Sequence, residues 1–268
     1  MRNSSITLLE RCALALSRVL SYLVFAFLVL PFVVVIPISF SSTSMLNYPL
    51  PGLSWRWYER FFTLDAWQTA IFNSLYVAGV TVVVSTVLGT LAALGLQRCG
   101  PRMQKILALA FVAPMMVPVV LTAVGLFFFF ASLGMIGSYA ALILSHTIIA
   151  TPFVVIAVSA SLAKFDRTLV RAAQSLGSGP VRTFLSVTMP SIFPGLMSGA
   201  LFAFAASLDE LIITLFIASP AQRTIPRQMF GGVRENIEPT IIAAAAIMTI
   251  VSVALMSVSI LAQKRDSS

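Results

Sequence analysis

Charge is what this sequence has least of. Of its 268 residues only 10% are Asp, Glu, Lys or Arg, where a water-soluble domain carries about a quarter. Hydrophobic residues make up 59% and the mean hydropathy is +0.98. Such a chain cannot clothe itself in polar surface, which excludes an ordinary soluble domain and points to an integral membrane protein. Acidic residues are scarcer than basic ones, 9 against 17, and His146 is the single histidine. The net charge of +8 does not make this a nucleic-acid binder. Its Lys and Arg residues stand in short loops beside apolar runs, the positive-inside pattern of membrane proteins.

Chemistry-bearing patterns are also missing. The two cysteines, Cys12 and Cys99, imply no disulfide framework, and with one histidine they are too few for an ordinary zinc site. There is no Gly-x-x-x-x-Gly-Lys-[Ser/Thr] loop for ATP phosphates, no His-Glu-x-x-His and no Gly-x-Ser-x-Gly. No nucleophile and base share one depth of an apolar run, as an intramembrane enzyme requires. The expectation is a chain with no catalytic residue, metal or cofactor of its own, driven by a partner if it is driven at all.

Long apolar runs are what the sequence has in abundance. About 20 such residues cross a bilayer core as a helix, and six runs qualify, at about 16–39, 70–96, 105–131, 138–162, 191–218 and 239–262. The first is too long for a signal-peptide core, and no Ala-x-Ala site follows it, so it reads as retained. Pro114 and Pro118, one turn apart, should kink the third. Without repeats or low-complexity tracts, residues 1–268 read as one all-α transmembrane domain.

The basic residues orient it. Twelve of the 17 fall on one side: Arg2, Arg11, Arg18, the loop with Arg98, Arg102 and Lys105, the stretch with Lys164, Arg167, Arg171 and Arg182, and Lys264 and Arg265. Arg56, Arg60, Arg223, Arg227 and Arg234 fall on the other. Both termini are then expected in the cytoplasm. The outer side has two longer loops. Residues 40–69 carry Trp55, Trp57, Tyr58 and Trp67 and fit an interfacial helix at Ser54 to Phe62; residues 219–238 are rich in Pro, Gly and charge.

Asp209 and Glu210 are the only carboxylates inside an apolar run. A charge at mid-bilayer costs at least ~2.5–3.5 kcal/mol by insertion scales, so such groups face a cavity or a partner. On a continuous helix Glu210 shares a side with Gly199, Ala203, Ser207 and Thr214, and Asp209 with Phe202, Ile213 and Phe216. Asp209, Glu210 and Ser207 are therefore candidates for a pathway for a cationic substrate, with Glu210 foremost because the small and polar side is the expected interior. A structural ion pair or helix–helix hydrogen bond is the open alternative. Gly195, Gly199 and Ala203 continue the same side as a smooth packing ridge. His146, at mid-span, fits a neutral hydrogen-bonded role or, alternatively, a proton relay.

The stretch from Lys164 to Gly195 lies between two apolar runs and reads as helix, break, helix. Gly177 stands where a helix C-cap wants positive φ, and Pro180 suits the first turn of the next helix. Arg171-Ala172-Ala173, Gln174-Ser175-Leu176, Gly177, then Arg182-Thr183-Phe184 and Met189-Pro190 resemble the EAA loop of membrane subunits of ATP-binding-cassette importers, with Arg171 in place of the family's Glu. Further motifs resemble the spermidine/putrescine permeases: Pro51-Gly52-Leu53-Ser54, Arg56-Trp57-Tyr58, Asn73-Ser74-Leu75 and Ser207-Leu208-Asp209-Glu210. Iron(III), sulfate and phosphonate permeases share much of this plan.

The resemblance implies a type I importer permease in a bacterial inner membrane. Its coupling helix, between the fourth and fifth spans over residues 164–190, would dock on a cytoplasmic ATPase. It implies as partners a second permease subunit, two ATPase subunits that bind ATP and Mg, and a periplasmic substrate-binding protein. A secondary transporter relaying ions through Asp209, Glu210 and His146 is the rival, and it leaves the Gly177 loop unexplained.

Overall fold

In a bilayer each backbone N–H and C=O has to be satisfied within the protein, and helices do this segment by segment. The computed structural model describes residues 8–44, 49–235 and 238–264, and these are overwhelmingly helical. Arg2 and Arg265, two of the cations used above for orientation, lie outside the described residues.

The chain opens with α1 (Leu8–Ile38), then a short α2 (Arg56–Thr63) and a long α3 (Asp65–Leu96). Next come α4 (Pro101–Met116) and α5 (Val119–Ser132), followed by α6 (Tyr139–Lys164). Two small helices, α7 (Thr168–Ser175) and α8 (Pro180–Thr183), lead through a π-helical turn (Phe184–Thr188) into α9 (Met189–Leu208). The remainder is α10 (Ile212–Ile217), α11 (Ile225–Glu235) and α12 (Pro239–Lys264). Among the described residues five helical stretches are long and apolar enough to cross a membrane: α1, α3, α6, the α8–α9 run and α12.

Two expected spans differ. The run at 105–131 is not one kinked helix: α4 and α5 meet at 98°. Pro114 sits inside α4 without breaking it. The break falls at Pro118, which offers no N–H, and Val117 ahead of it is extended at ψ 134°, the bias a following proline imposes. Counted together the bent pair makes a sixth span. The run at 191–218 is likewise interrupted, between Leu208 and Ile212. Its entry is regular only because the ladder widens. Pro190 has no N–H, and its ring would press on the carbonyl of Ser186. A π-turn absorbs this, with the Met189 N–H reaching back to the Phe184 carbonyl.

The centre of the bundle is α3, α6 and α9. Ala150, Val154 and Val158 of α6 pack with Ala93 of α3 and with Ile192 and Ala203 of α9. Small residues set the spacing. A β-carbon on Gly199 would come within 2.9 Å of the Val154 α-carbon, and one on Gly195 within 2.0 Å of the Ser161 Oγ. In lipid, where burial gives little drive, such close approach supplies the contact area that holds helices together. α1 stands to the side, against α12, with Tyr22 and Phe27 largely exposed. At one end of the bundle α2 forms as expected for an interfacial helix. Trp57 is buried there and donates its indole N–H to the Ser41 carbonyl at 2.7 Å.

Candidate functional site

The interruption at residues 209–211 is where the sequence's two intramembrane carboxylates fall. α9 makes its last regular bond from the Asp209 N–H to the Ala205 carbonyl, 3.0 Å. α10 then starts afresh and needs acceptors for its first N–H groups. Glu210 supplies one: its Oε1 accepts from the Ile213 N–H at 2.8 Å. The Glu210 carboxylate is turned onto backbone as a helix cap, the place where the partial positive charge of a helix start favours an anion. The continuous-helix face that grouped Glu210 with Gly199, Ala203 and Ser207 therefore ends at Leu208, and the ranking built on it does not hold.

Asp209 is placed differently. Its side chain is exposed, and no described residue bonds its carboxylate. It lines a cavity of about 470 Å³ with Pro226, Met229 and Phe230 of α11 and Ile241 and Met248 of α12. An unpaired carboxylate at the edge of an otherwise apolar groove is suited to meet a cation.

His146 brackets the break from α6. It is fully buried, with Nδ1 2.8 Å from the Ser207 Oγ and Nε2 3.1 Å from the Thr214 Oγ1. Ser207 lies in the last turn of α9 and Thr214 in the first turn of α10. A neutral imidazole has one donor and one acceptor nitrogen, and hydroxyls serve as either, so both contacts are satisfied at once. Ser207 is buried in this contact rather than facing the groove. Thr214 also donates to the Glu210 carbonyl at 3.2 Å.

A second buried polar knot lies near the same end. Asn73 of α3 donates to the carbonyls of Ala221 and Arg223 and accepts from the Tyr139 hydroxyl at 2.6 Å. Ser74 accepts from the Ile225 N–H at 2.8 Å. These bonds fix the segment between α10 and α11, hence the roof over the Asp209 groove. Sequence reading quoted Asn73 and Ser74 as a motif without finding this role; a buried Asn in an apolar run is the signal.

The basic stretch is at the opposite end. Gly177 has φ +82°, and the backbone closes α7 with bonds from Gly177 N–H to the Gln174 carbonyl and from Ser178 N–H to the Ala173 carbonyl. This paired pattern is the Schellman C-cap. α7 projects Arg171 into a cavity of about 800 Å³ shared with Arg98, Arg167, Gln174, Val181 and Phe184. Leu176 is 89% exposed, an apolar tip beside basic side chains. Arg182 lies on α8, and Arg167 ties the loop to α3 through the Gln97 carbonyl at 3.2 Å. At its start Asp166 accepts from the hydroxyl and N–H of Thr168. Those bonds, with Arg171 nearby, hold its carboxyl below the ordinary range.

The fold is that of a multi-pass helical membrane protein, with a broken, carboxylate-bearing span and a helix-turn at its basic end. Residues 85–266 match the family described as binding-protein-dependent transport system inner membrane component, and the chain belongs to that family. It is 33% identical to the putrescine transport system permease protein PotI of Escherichia coli K12, over 84% of this chain and 82% of that one. It is 28% identical to the spermidine/putrescine transport system permease protein PotC of Haemophilus influenzae, over 92% and 95%. In three dimensions it is similar to a chain of a bacterial ABC transporter that imports the acidic polysaccharide alginate, with a TM-score of 0.70 at 14% identity, covering 96% of each. The protein is thus a multi-pass inner-membrane permease subunit of an ABC importer, a transport subunit and not an enzyme.

Proposed function

We propose that this permease supplies half of a transmembrane pathway for putrescine, spermidine or a similar small amine. The observation that carries the reading is the Asp209 carboxylate beside the interrupted span, unpaired among the described residues and lining an otherwise apolar groove. A cation entering a low-dielectric region gains most from a fixed negative charge there, and one that lacks a tight cage around it lets the solute leave again. An oxyanion such as sulfate would be repelled. The amine transport named for PotI and PotC supports the same class.

In this reading the basic end faces the cytoplasm, and the α7–Gly177–α8 turn is the coupling helix, with residues 171–177 and Arg182 meeting a separate ATPase. That ATPase binds ATP and Mg; this chain needs no cofactor. The remaining partners are a second, related permease subunit and a periplasmic binding protein that delivers solute at the Asn73 and Asp209 end. Nucleotide and loaded binding protein each favour one of two orientations of the cavity, and that difference in affinity drives alternating access.

The test is uptake into proteoliposomes holding the full complex, with labelled putrescine and a tenfold excess of competing solute, tenfold being about one decade of occupancy. Spermidine should compete and sulfate should not. Transport of sulfate or iron(III), with no response to putrescine, would overturn the substrate class.

A further inference from the structure

We propose that His146 is a positioning residue that clamps the two halves of the interrupted span and so sets where Asp209 projects. The inference rests on the reading of Asp209 as the pathway carboxylate. Residues 209–211 leave the helix ladder; their bonds tie Asp209 back to α9 and Glu210 and Leu211 forward to α10, and none among the described residues joins the two halves directly. The structure joins them through a third helix. Ser207, the second residue before the break, and Thr214, the third after it, both point at one imidazole on α6, at 2.8 Å and 3.1 Å. Both hydroxyls are buried, as is the ring, so water is not at hand to replace any of the three.

The far side of the clamp continues into the backbone of the break. Thr214 donates to the Glu210 carbonyl at 3.2 Å, while the Glu210 carboxylate caps the Ile213 N–H at 2.8 Å. Imidazole, Thr214 and Glu210 therefore form one chain of contacts, with Asp209 the adjoining residue left facing the groove. Buried polar groups in a membrane span are costly unless fully paired, and here the pairing is spent on one joint. Removing the ring leaves the buried Ser207 hydroxyl without a partner and Thr214 with only its bond to the Glu210 carbonyl, and it frees α9 and α10 to move apart.

The experiment uses the complete complex in proteoliposomes, with Cys12→Ser and Cys99→Ser introduced and reactive thiols removed from the partner subunits. Asp209→Cys is labelled with a cationic thiosulfonate in the presence and absence of His146→Ala. Turnover per assembled complex is measured separately with Asp209 intact. The clamp predicts that His146→Ala changes the labelling rate about fivefold and lowers turnover about tenfold, the scale of one or two lost buried bonds. His146→Gln places an amide near the Nε2 position, and both quantities should return to within about threefold of the native values. His146→Ala and Ser207→Ala should not add, since each breaks the same joint. A role confined to stability would lower complex yield and leave labelling of surviving complexes unchanged; that result, or strictly additive losses, overturns the clamp. If labelling shifts while Asp209→Asn transports normally, the clamp stands and the amine-pathway reading falls.

Discussion

Two adjacent carboxylates, Asp209 and Glu210, do different work because one is inside a helix cap and the other is not. Glu210 accepts from the Ile213 N–H. Replacing it with Ala should destabilise the subunit by about 1 kcal/mol, the usual worth of a lost cap, read as a lower unfolding temperature in detergent. Glu210→Gln keeps an acceptor and should behave nearly as the native chain in the same melt. An equal loss from both would mean that the charge, not the cap, is what matters there. The sequence showed that this pair was exceptional, since they are the only carboxylates in an apolar run. It did not show which one was free, because that follows from where the helix stops. For His146 the sequence left a hydrogen-bonded role and a proton relay both open; its hydrogen-bond partners, 61 and 68 residues further along the chain, were not legible.

At the scale of elements, the long apolar runs were easy to place, and their interruptions were hard. Local chemistry explains the difference. Pro118 carries a break that a proline announces, but Pro114 and Pro190 look the same in sequence and sit in helices that continue, α4 unbroken and α9 by way of a π-turn. The Asp209–Leu211 break contains neither Gly nor Pro, and the contacts around it, the Glu210 cap and His146 on α6, come from residues that no local pattern announces. Gly177 was legible, because a helix former run ending in Leu-Gly-Ser-Gly-Pro leaves few other conformations. With φ at +82°, Gly177→Val should strain this turn by about 1–2 kcal/mol. The subunit should still insert, while binding-protein-stimulated ATP hydrolysis and uptake fall together. Full stimulation in assembled Gly177→Val complexes would show that the turn is not the coupling element. Between helices, Gly199→Leu should prevent α6 and α9 from closing, since even a β-carbon would meet the Val154 α-carbon at 2.9 Å. The expected outcome is loss of folded subunit from detergent extracts; normal recovery would contradict the packing described.

For the whole molecule, the orientation proposed from the basic asymmetry has the Arg171 end in the cytoplasm and the Asp209 groove toward the outer half. Cys99, partly exposed just past α3, reports on this directly in a Cys12→Ser background. A membrane-impermeant thiol reagent should leave it unlabelled in intact spheroplasts and label it once the membrane is opened. Labelling from outside would invert the orientation and with it the assignment of the two ends.

In the proposed pathway an amine crosses this subunit past Asp209. The most direct measurement of that crossing is initial putrescine uptake by proteoliposomes holding equal amounts of assembled native, Asp209→Asn or Glu210→Gln complex. Removing one fixed charge from a low-dielectric passage should slow Asp209→Asn about tenfold or more without altering the affinity of the separate binding protein, and Glu210→Gln should stay within about threefold of native. Native-like uptake by Asp209→Asn would rule out a pathway past this carboxylate.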